Sequence, residues 1–233
     1  ESNLNIEGLN SGPFKKFKAI IEKSISLNKS NIKDFHSLDL SSSLKIIIVK
    51  IKEDISLSKN NEKLGAKFYK YINSNSIYKT SLLESNVNFF TQKNSNFIDE
   101  FISGIFIKSY NFEKYKTKKN LKSFLINLSG KFKINFFKKN NKFKSIIDGI
   151  NLTKDLVSEP GNILHPDEYV NRIRKLRSLG LKVTIFDKRK MKKLGMNALL
   201  GVGQGSIRGS YLVAIEWRGS NKKQQPLAFV GKG

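Results

Sequence analysis

Apolar residues in this chain alternate between two spacings, and that alternation restricts the fold more than any other feature. Residues 44–51 form a β-branched run of strand length, and residues 62–72 place Leu64, Phe68 and Tyr71 on one helical stripe. Residues 77–90 are again strand-rich. Phe97, Ile98, Phe101, Ile102, Ile105 and Phe106 repeat at helical spacing, so residues 95–109 are expected as an amphipathic or largely buried helix. Residues 122–128 follow as a strand closed by Ser129 and Gly130. Strands alternating with helices imply an α/β layer structure with a substantially parallel sheet.

The second half is more sharply punctuated. Phe143, Ile146, Ile147, Ile150, Leu152, Leu156 and Val157 predict a long helix over 141–158, broken at Glu159-Pro160-Gly161. Pro166 suits the first turn of the next helix, Asp167 and Glu168 complement its dipole, and Gly180 is its stop. Val170, Ile173 and Leu176 should face the core. A strand is expected over 181–186, then a short helix over 188–194 capped by Asp187 and ended by Gly195. Further strands are expected over 211–217 and 227–230; if the strands flanking a helix pair in parallel, the unit is a right-handed crossover. The whole reads as an N-terminal α/β domain with a mixed sheet (1–140), a linking helix and turn (141–165), and the start of a second α/β domain (166–233).

Composition supports this division. All six arginines lie in residues 151–233, whereas residues 1–150 carry 27 Lys and no Arg. The formal charge of +24 invites phosphate as a partner. Scattered Lys among Asn, Ile and Phe is nonetheless what a uniform compositional bias produces, since planar Arg is the preferred reader of phosphate. With no Cys, disulfides and thiolate chemistry are excluded. No apolar run approaches the ~18 residues that span a bilayer, so no membrane partner is expected.

Candidate motifs are few. Gly201-Val-Gly203-Gln-Gly205-Ser206 departs from the dinucleotide fingerprint in its last position and precedes a strand, which favours a flexible turn. Gly231-Lys232 resembles a phosphate loop, but Pro226 stands where its first glycine belongs and Gly233 where Ser or Thr should bind magnesium. His36 and His165 form no paired metal motif, and His165 reads as a helix-entry residue. Tyr110, Phe112 and Tyr115 interleave with Lys108, Lys114, Lys116, Lys118 and Lys119. That mixture suits either base stacking or a solvated loop anchored by its aromatics, and the loop is the favoured reading.

Several stretches together resemble the leucyl (cytosol) aminopeptidase family of metallopeptidases. They are Asn151-Leu-Thr-Lys-Asp-Leu-Val-Ser-Glu-Pro-Gly-Asn162 with Pro166, Met191-Lys-Lys-Leu-Gly-Met-Asn-Ala-Leu-Leu-Gly-Val-Gly-Gln-Gly-Ser206, and Val230-Gly-Lys-Gly233. Tyr110-Asn-Phe112-Glu-Lys114-Tyr115-Lys116-Thr117 is similar to the family's aromatic segment before a Lys-Thr pair. The resemblance implies a cytoplasmic aminopeptidase, hexameric, that releases N-terminal residues from peptides with two divalent ions, manganese or zinc. One ion would hold the α-amine while the pair activates a bridging water. It also implies that Lys232 is a metal ligand, flanked by glycines that let an ion approach the backbone. The family's carboxylate ligands, second lysine and anion-holding arginine match nothing here, so no catalytic residue is assigned. Glu1 in place of Met and the ending at Gly233 lead to the expectation of an inactive fragment. The alternative is a nucleic-acid-binding module built on the Lys-rich N-terminal domain.

Overall fold

The structure, a computed structural model, describes residues 15–27, 34–51, 54–83, 94–118, 123–129, 138, 141–219 and 225–232. The chain divides into two compact units, Glu1–Asp155 and Leu156–Gly233.

In the first unit, helix α1 (Lys18–Leu27) precedes the antiparallel pair β1 (Phe35–Asp39) and β2 (Lys45–Val49), with Phe35 opposite Val49. The unbroken run Ile46-Ile47-Ile48-Val49 is explained by two apolar faces. Ile46 and Ile48 join Leu38 against the buried Ile21 and Ile25 of α1, while Ile47 and Val49 join Phe35 on the main core. That core is built by α2 (Ser58–Ser74) and α3 (Phe97–Ser109), which bury Phe68, Ile72, Phe97, Ile98, Phe101, Ile102 and Ile105. The stripe expected from Leu64, Phe68 and Tyr71 faces it.

The two helices meet backbone to backbone. A Cβ on Gly65 would collide with the Phe101 carbonyl oxygen, and one on Gly104 with that of Glu62, so only glycine fits at either point. Beside this crossing lies a polar group that the apolar pattern of α3 did not disclose. Glu100, 2 % exposed, accepts hydrogen bonds from Ser58 Oγ (2.6 Å), Asn61 Nδ2 (2.7 Å) and Asn94 Nδ2 (3.0 Å). Asn61 and Asn94 also donate to the Ile55 carbonyl at 2.8 and 2.9 Å. A buried carboxylate held by three donors offsets part of its desolvation and ties α2 to the start of α3. Burial, then the charge on Glu100, pushes the neighbouring Glu62 carboxyl up.

Strands β3 (Lys79–Leu83) and β4 (Leu125–Ser129) pair in parallel, with α3 between them in sequence. Phe124 packs on Tyr69 and Tyr78 at ring distances of 5.0 and 5.7 Å. Helix α4 (Lys142–Ser158) buries Phe143 and Ile147 on the same core. The aromatic–lysine segment after α3 is anchored rather than open: Tyr110 donates to Asp155 Oδ1 at 2.7 Å, and Lys154 Nζ lies 5.0 Å over its ring. Lys119, residues 84–90 and 122, Gly130 and Gly233 lie outside the described residues.

The second unit holds α5 (Pro166–Lys175), a 3-10 turn (Leu176–Leu179), β5 (Lys182–Phe186), α6 (Lys188–Lys193), α7 (Asn197–Val202) and β6 (Leu212–Glu216). Gly180 adopts φ 85° and ends the helical stretch as expected, and Val170 of α5 is buried. Two expectations are corrected. The described strands form three separate pairs, of which only β3–β4 is parallel; β5 and β6 run antiparallel. Helices of six residues, about 9 Å long, are too short to return the chain along a strand of about 16 Å, and Gly195 (φ 71°) reverses it between α6 and α7. Residues 227–230 are not a strand either. Among the described residues the segment has no neighbour in hydrogen-bonding register and so forms no ladder with them, and Phe229 and Val230 are 90 % and 99 % exposed. No described helix is long and apolar enough to cross a membrane.

Candidate functional site

The resemblance drawn from the sequence centres on the second unit, whose parts are fixed by a few polar contacts. After α4 ends, the Pro160 carbonyl accepts from the backbone N–H groups of Ile163 and Leu164, both at 2.9 Å, which closes the turn. His165 then enters α5 with an extended backbone (φ −106°, ψ 170°), and its carbonyl accepts from Tyr169 N at 2.9 Å. This is the helix-entry role expected of it. Its side chain makes no capping bond, and Nδ1 stands 3.4 Å from Asp167 Oδ2 without hydrogen-bond geometry.

The two acidic residues of the first turn do more than answer the dipole. Glu168 Oε1 accepts from Arg172 Nε at 2.9 Å, and the same guanidinium donates through Nη1 to Glu159 Oε1 at 2.8 Å. Arg172 thus fastens the Glu159-Pro160-Gly161 turn to α5, with the Glu159 side chain only 1 % exposed. Hydrogen bonding from Arg172 holds the Glu168 carboxyl below the usual carboxylate range, while Glu159 and then Glu168 push the Arg172 guanidinium up. Asp167 Oδ1 accepts from Tyr211 Oη at 2.7 Å and is held low chiefly by that bond; the Tyr211 phenol is raised by it. Gly209 is tight for the same reason, since a Cβ there would lie 2.7 Å from Tyr211 Oη and 2.9 Å from Asp167 Oδ1. Sequence reasoning read Asp167 and Glu168 as helix-start residues but had no signal for Tyr211, 44 residues away, or for Arg172 as a clamp.

Asp187 caps α6 as expected, accepting from Lys190 N at 2.9 Å. The glycine-rich stretch is no phosphate cradle. Gly201 lies inside α7, and turns closed by Gln204 N to Gly201 O (3.3 Å) and Ser206 N to Gly203 O (3.1 Å) follow it. The short helix α7 was not legible, because three glycines masked its pattern.

Lys232, the one residue singled out as a metal ligand, lies in an exposed segment outside any helix or strand. Among the described residues no group of three or more His, Cys, Asp or Glu is placed to hold a metal ion. A bound divalent ion needs at least three protein donors in most sites, so the described residues, with a single amine, do not fit a metal by themselves. The structure does not bring Lys232 together with any other candidate.

Comparison with known proteins bears on the same stretch. Residues 151–233 match the family described as "Cytosol aminopeptidase family, catalytic domain". The chain is 48% identical over 143 residues to the "Probable cytosol aminopeptidase" of Phytoplasma mali (strain AT), covering 58% of this chain and 29% of that protein. Against the protein of the same name from Phytoplasma australiense it is 45% identical over 135 residues, covering 57% and 27%. It therefore spans under a third of the length of these curated relatives. Among solved structures, a mutant of tomato leucine aminopeptidase is similar with a TM-score of 0.70 at 17% identity, over 92% of this chain and 43% of that one. The bottromycin maturation enzyme BotP in complex with Mn is similar with a TM-score of 0.55 at 12% identity, over 82% and 41%. These structural likenesses show a shared mixed α/β fold, and the sequence matches show the resemblance to cytosol aminopeptidases.

Proposed function

We propose that a chain with this likeness supplies the N-terminal domain (1–140), the linking helix and turn (141–165) and the opening of the catalytic domain (166–233) of a metal-dependent aminopeptidase. The intact protein would be a cytoplasmic homo-hexamer that releases N-terminal residues from peptides with two divalent ions, manganese or zinc. The match of residues 151–233 to a catalytic-domain family is the observation that carries this reading. Within it, Lys232 is one metal donor, because an unprotonated amine has a lone pair to give and Gly231 adds no side chain to obstruct an ion. Among the described residues no three His, Cys, Asp or Glu side chains are grouped to hold a metal ion, and on this reading activity belongs to the intact protein.

What the second unit contributes is shape. Arg172 and the Asp167–Tyr211 bond fix the turn after Glu159 and the start of β6 to the same helix, α5. In the longer protein containing this chain, Lys232→Met should lower kcat/KM on a leucyl peptide on the order of 100-fold and remove about one bound ion per chain. Far-UV circular dichroism should not change. Full metal content in the variant would remove Lys232 from the ligand set, and a longer protein that releases no N-terminal residue with any divalent ion would overturn the reading.

A further inference from the structure

We propose that the first unit carries a binding site for a small free α-amino acid, glycine or alanine, beside the end of β2, a role separate from the peptidase reading. A cavity of about 80 Å³ lies there, lined on α2 by Asn61, Leu64 and Lys67. Asp34, Lys50, Ile51 and Ile55 line it as well. Both lysines are half-buried, whereas Lys59, Lys63 and Lys70 of α2 are exposed. The polar groups are positioned by the fold: Lys50 N donates to the Asp34 carbonyl at 2.9 Å, and Lys67 Nζ donates to Asp34 Oδ2 at 3.0 Å. Two hydrogen-bonding groups remain to be answered. Lys50 Nζ makes no hydrogen bond or ion pair among the described residues. Asn61, 1 % exposed, donates through Nδ2 to the Ile55 carbonyl and to Glu100 Oε2, while its buried Oδ1 accepts nothing. A buried acceptor without a donor beside a cavity is a reason to expect an occupant that brings one.

The lining selects the ligand. Lys50 and Lys67 call for a carboxylate, Asn61 Oδ1 and Asp34 for an ammonium, and Ile51, Ile55 and Leu64 for a short aliphatic group. A zwitterion with a small side chain meets all three demands at once. An inorganic anion would bring like charge to Asp34 and leave Asn61 Oδ1 without a donor, and a divalent cation would face two ammonium groups and one carboxylate. Size narrows the choice further. A cavity of about 150 Å³ takes benzene, so one about half as large admits alanine but not a long side chain or a nucleotide.

The test is titration of the nitrogen-15-labelled full chain with L-alanine at neutral pH, followed by amide NMR. The side-chain amide of Asn61 and the backbone amides of Lys50 and Ile51 should shift together with a Kd on the order of 1 mM, as suits six non-hydrogen atoms. Propionate and ethylamine, each lacking one of the two charges, should bind at least about 10-fold more weakly. Lys50→Gln should weaken alanine by about 10-fold, whereas Lys59→Gln, with the same loss of charge on an exposed lysine, should not. Lys50→Arg should keep the affinity within about threefold, which separates a lost carboxylate contact from lost folding. No shift at about 50 mM alanine, equal weakening by both Gln variants, or binding of propionate, ethylamine or phosphate as tight as that of alanine would overturn the proposal.

Discussion

Arg172 holds two carboxylates of unlike surroundings, and the contrast sets what its loss should do. Glu159 is nearly inaccessible, so removing the guanidinium takes a cation away from a buried carboxylate, whereas Glu168 is part-exposed and keeps its water. Arg172→Met should therefore destabilise the second unit by about 2–3 kcal/mol in urea at pH 7, mostly through Glu159. The Glu168 carboxyl is held low in the folded chain by Arg172, so its contribution is present above the unfolded value near 4.3 and is lost as pH falls through the lower folded one. Acid titration of the urea midpoint should accordingly be shallower below about pH 4 in the variant than in the wild type. An equal acid slope in both would assign the effect elsewhere. At this scale the sequence disclosed roles that act within a turn, such as Asp187 as a cap and Pro166 as a helix start. Partners 13 or 44 residues away, such as Glu159 for Arg172 or Tyr211 for Asp167, leave no local signature.

Helices were legible as elements and opaque at their contacts. The stripe of α2 and the apolar density of α3 follow from period alone, yet the residues that set how closely the two helices pack are the glycines among them. At Gly65 and Gly104 an added methyl group would meet backbone, which cannot swing aside as a side chain can. Gly65→Ala or Gly104→Ala should each cost more than about 3 kcal/mol or prevent folding of the first unit. Gly149 provides the control: it lies within α4 with nothing within 4 Å of an added Cβ. Gly149→Ala should stabilise by about 0.5–1 kcal/mol, because alanine has less unfolded-state freedom to lose. Urea melts of the three variants check this, and a destabilised Gly149→Ala would contradict the open surroundings of that site. Strand positions were equally legible for β2, β3, β4, β5 and β6, but pairing was not. Direction depends on what the connection can span, and two six-residue helices bent at Gly195 cannot carry a parallel return.

For the whole molecule, two units with separate interiors make a specific statement about cooperativity. The core of Glu1–Asp155 gathers Phe68, Ile98, Phe101 and Ile147, while the second unit buries little beyond Val170, Val183 and Met191. Buried apolar side chains contribute about 1.5–3 kcal/mol each, so the second unit has much less to set against its chain entropy. It should melt first. Urea unfolding followed by Trp217 fluorescence, which reports the second unit, should then precede the loss of far-UV helical signal from α2, α3 and α4. Arg172→Met should shift only the early transition and a first-unit core variant such as Ile98→Val only the late one, with a coupling energy below about 0.5 kcal/mol. Coincident transitions by both probes, moved together by either variant, would mean that α4, whose residues belong to both units, transmits enough order to make one cooperative body of the two.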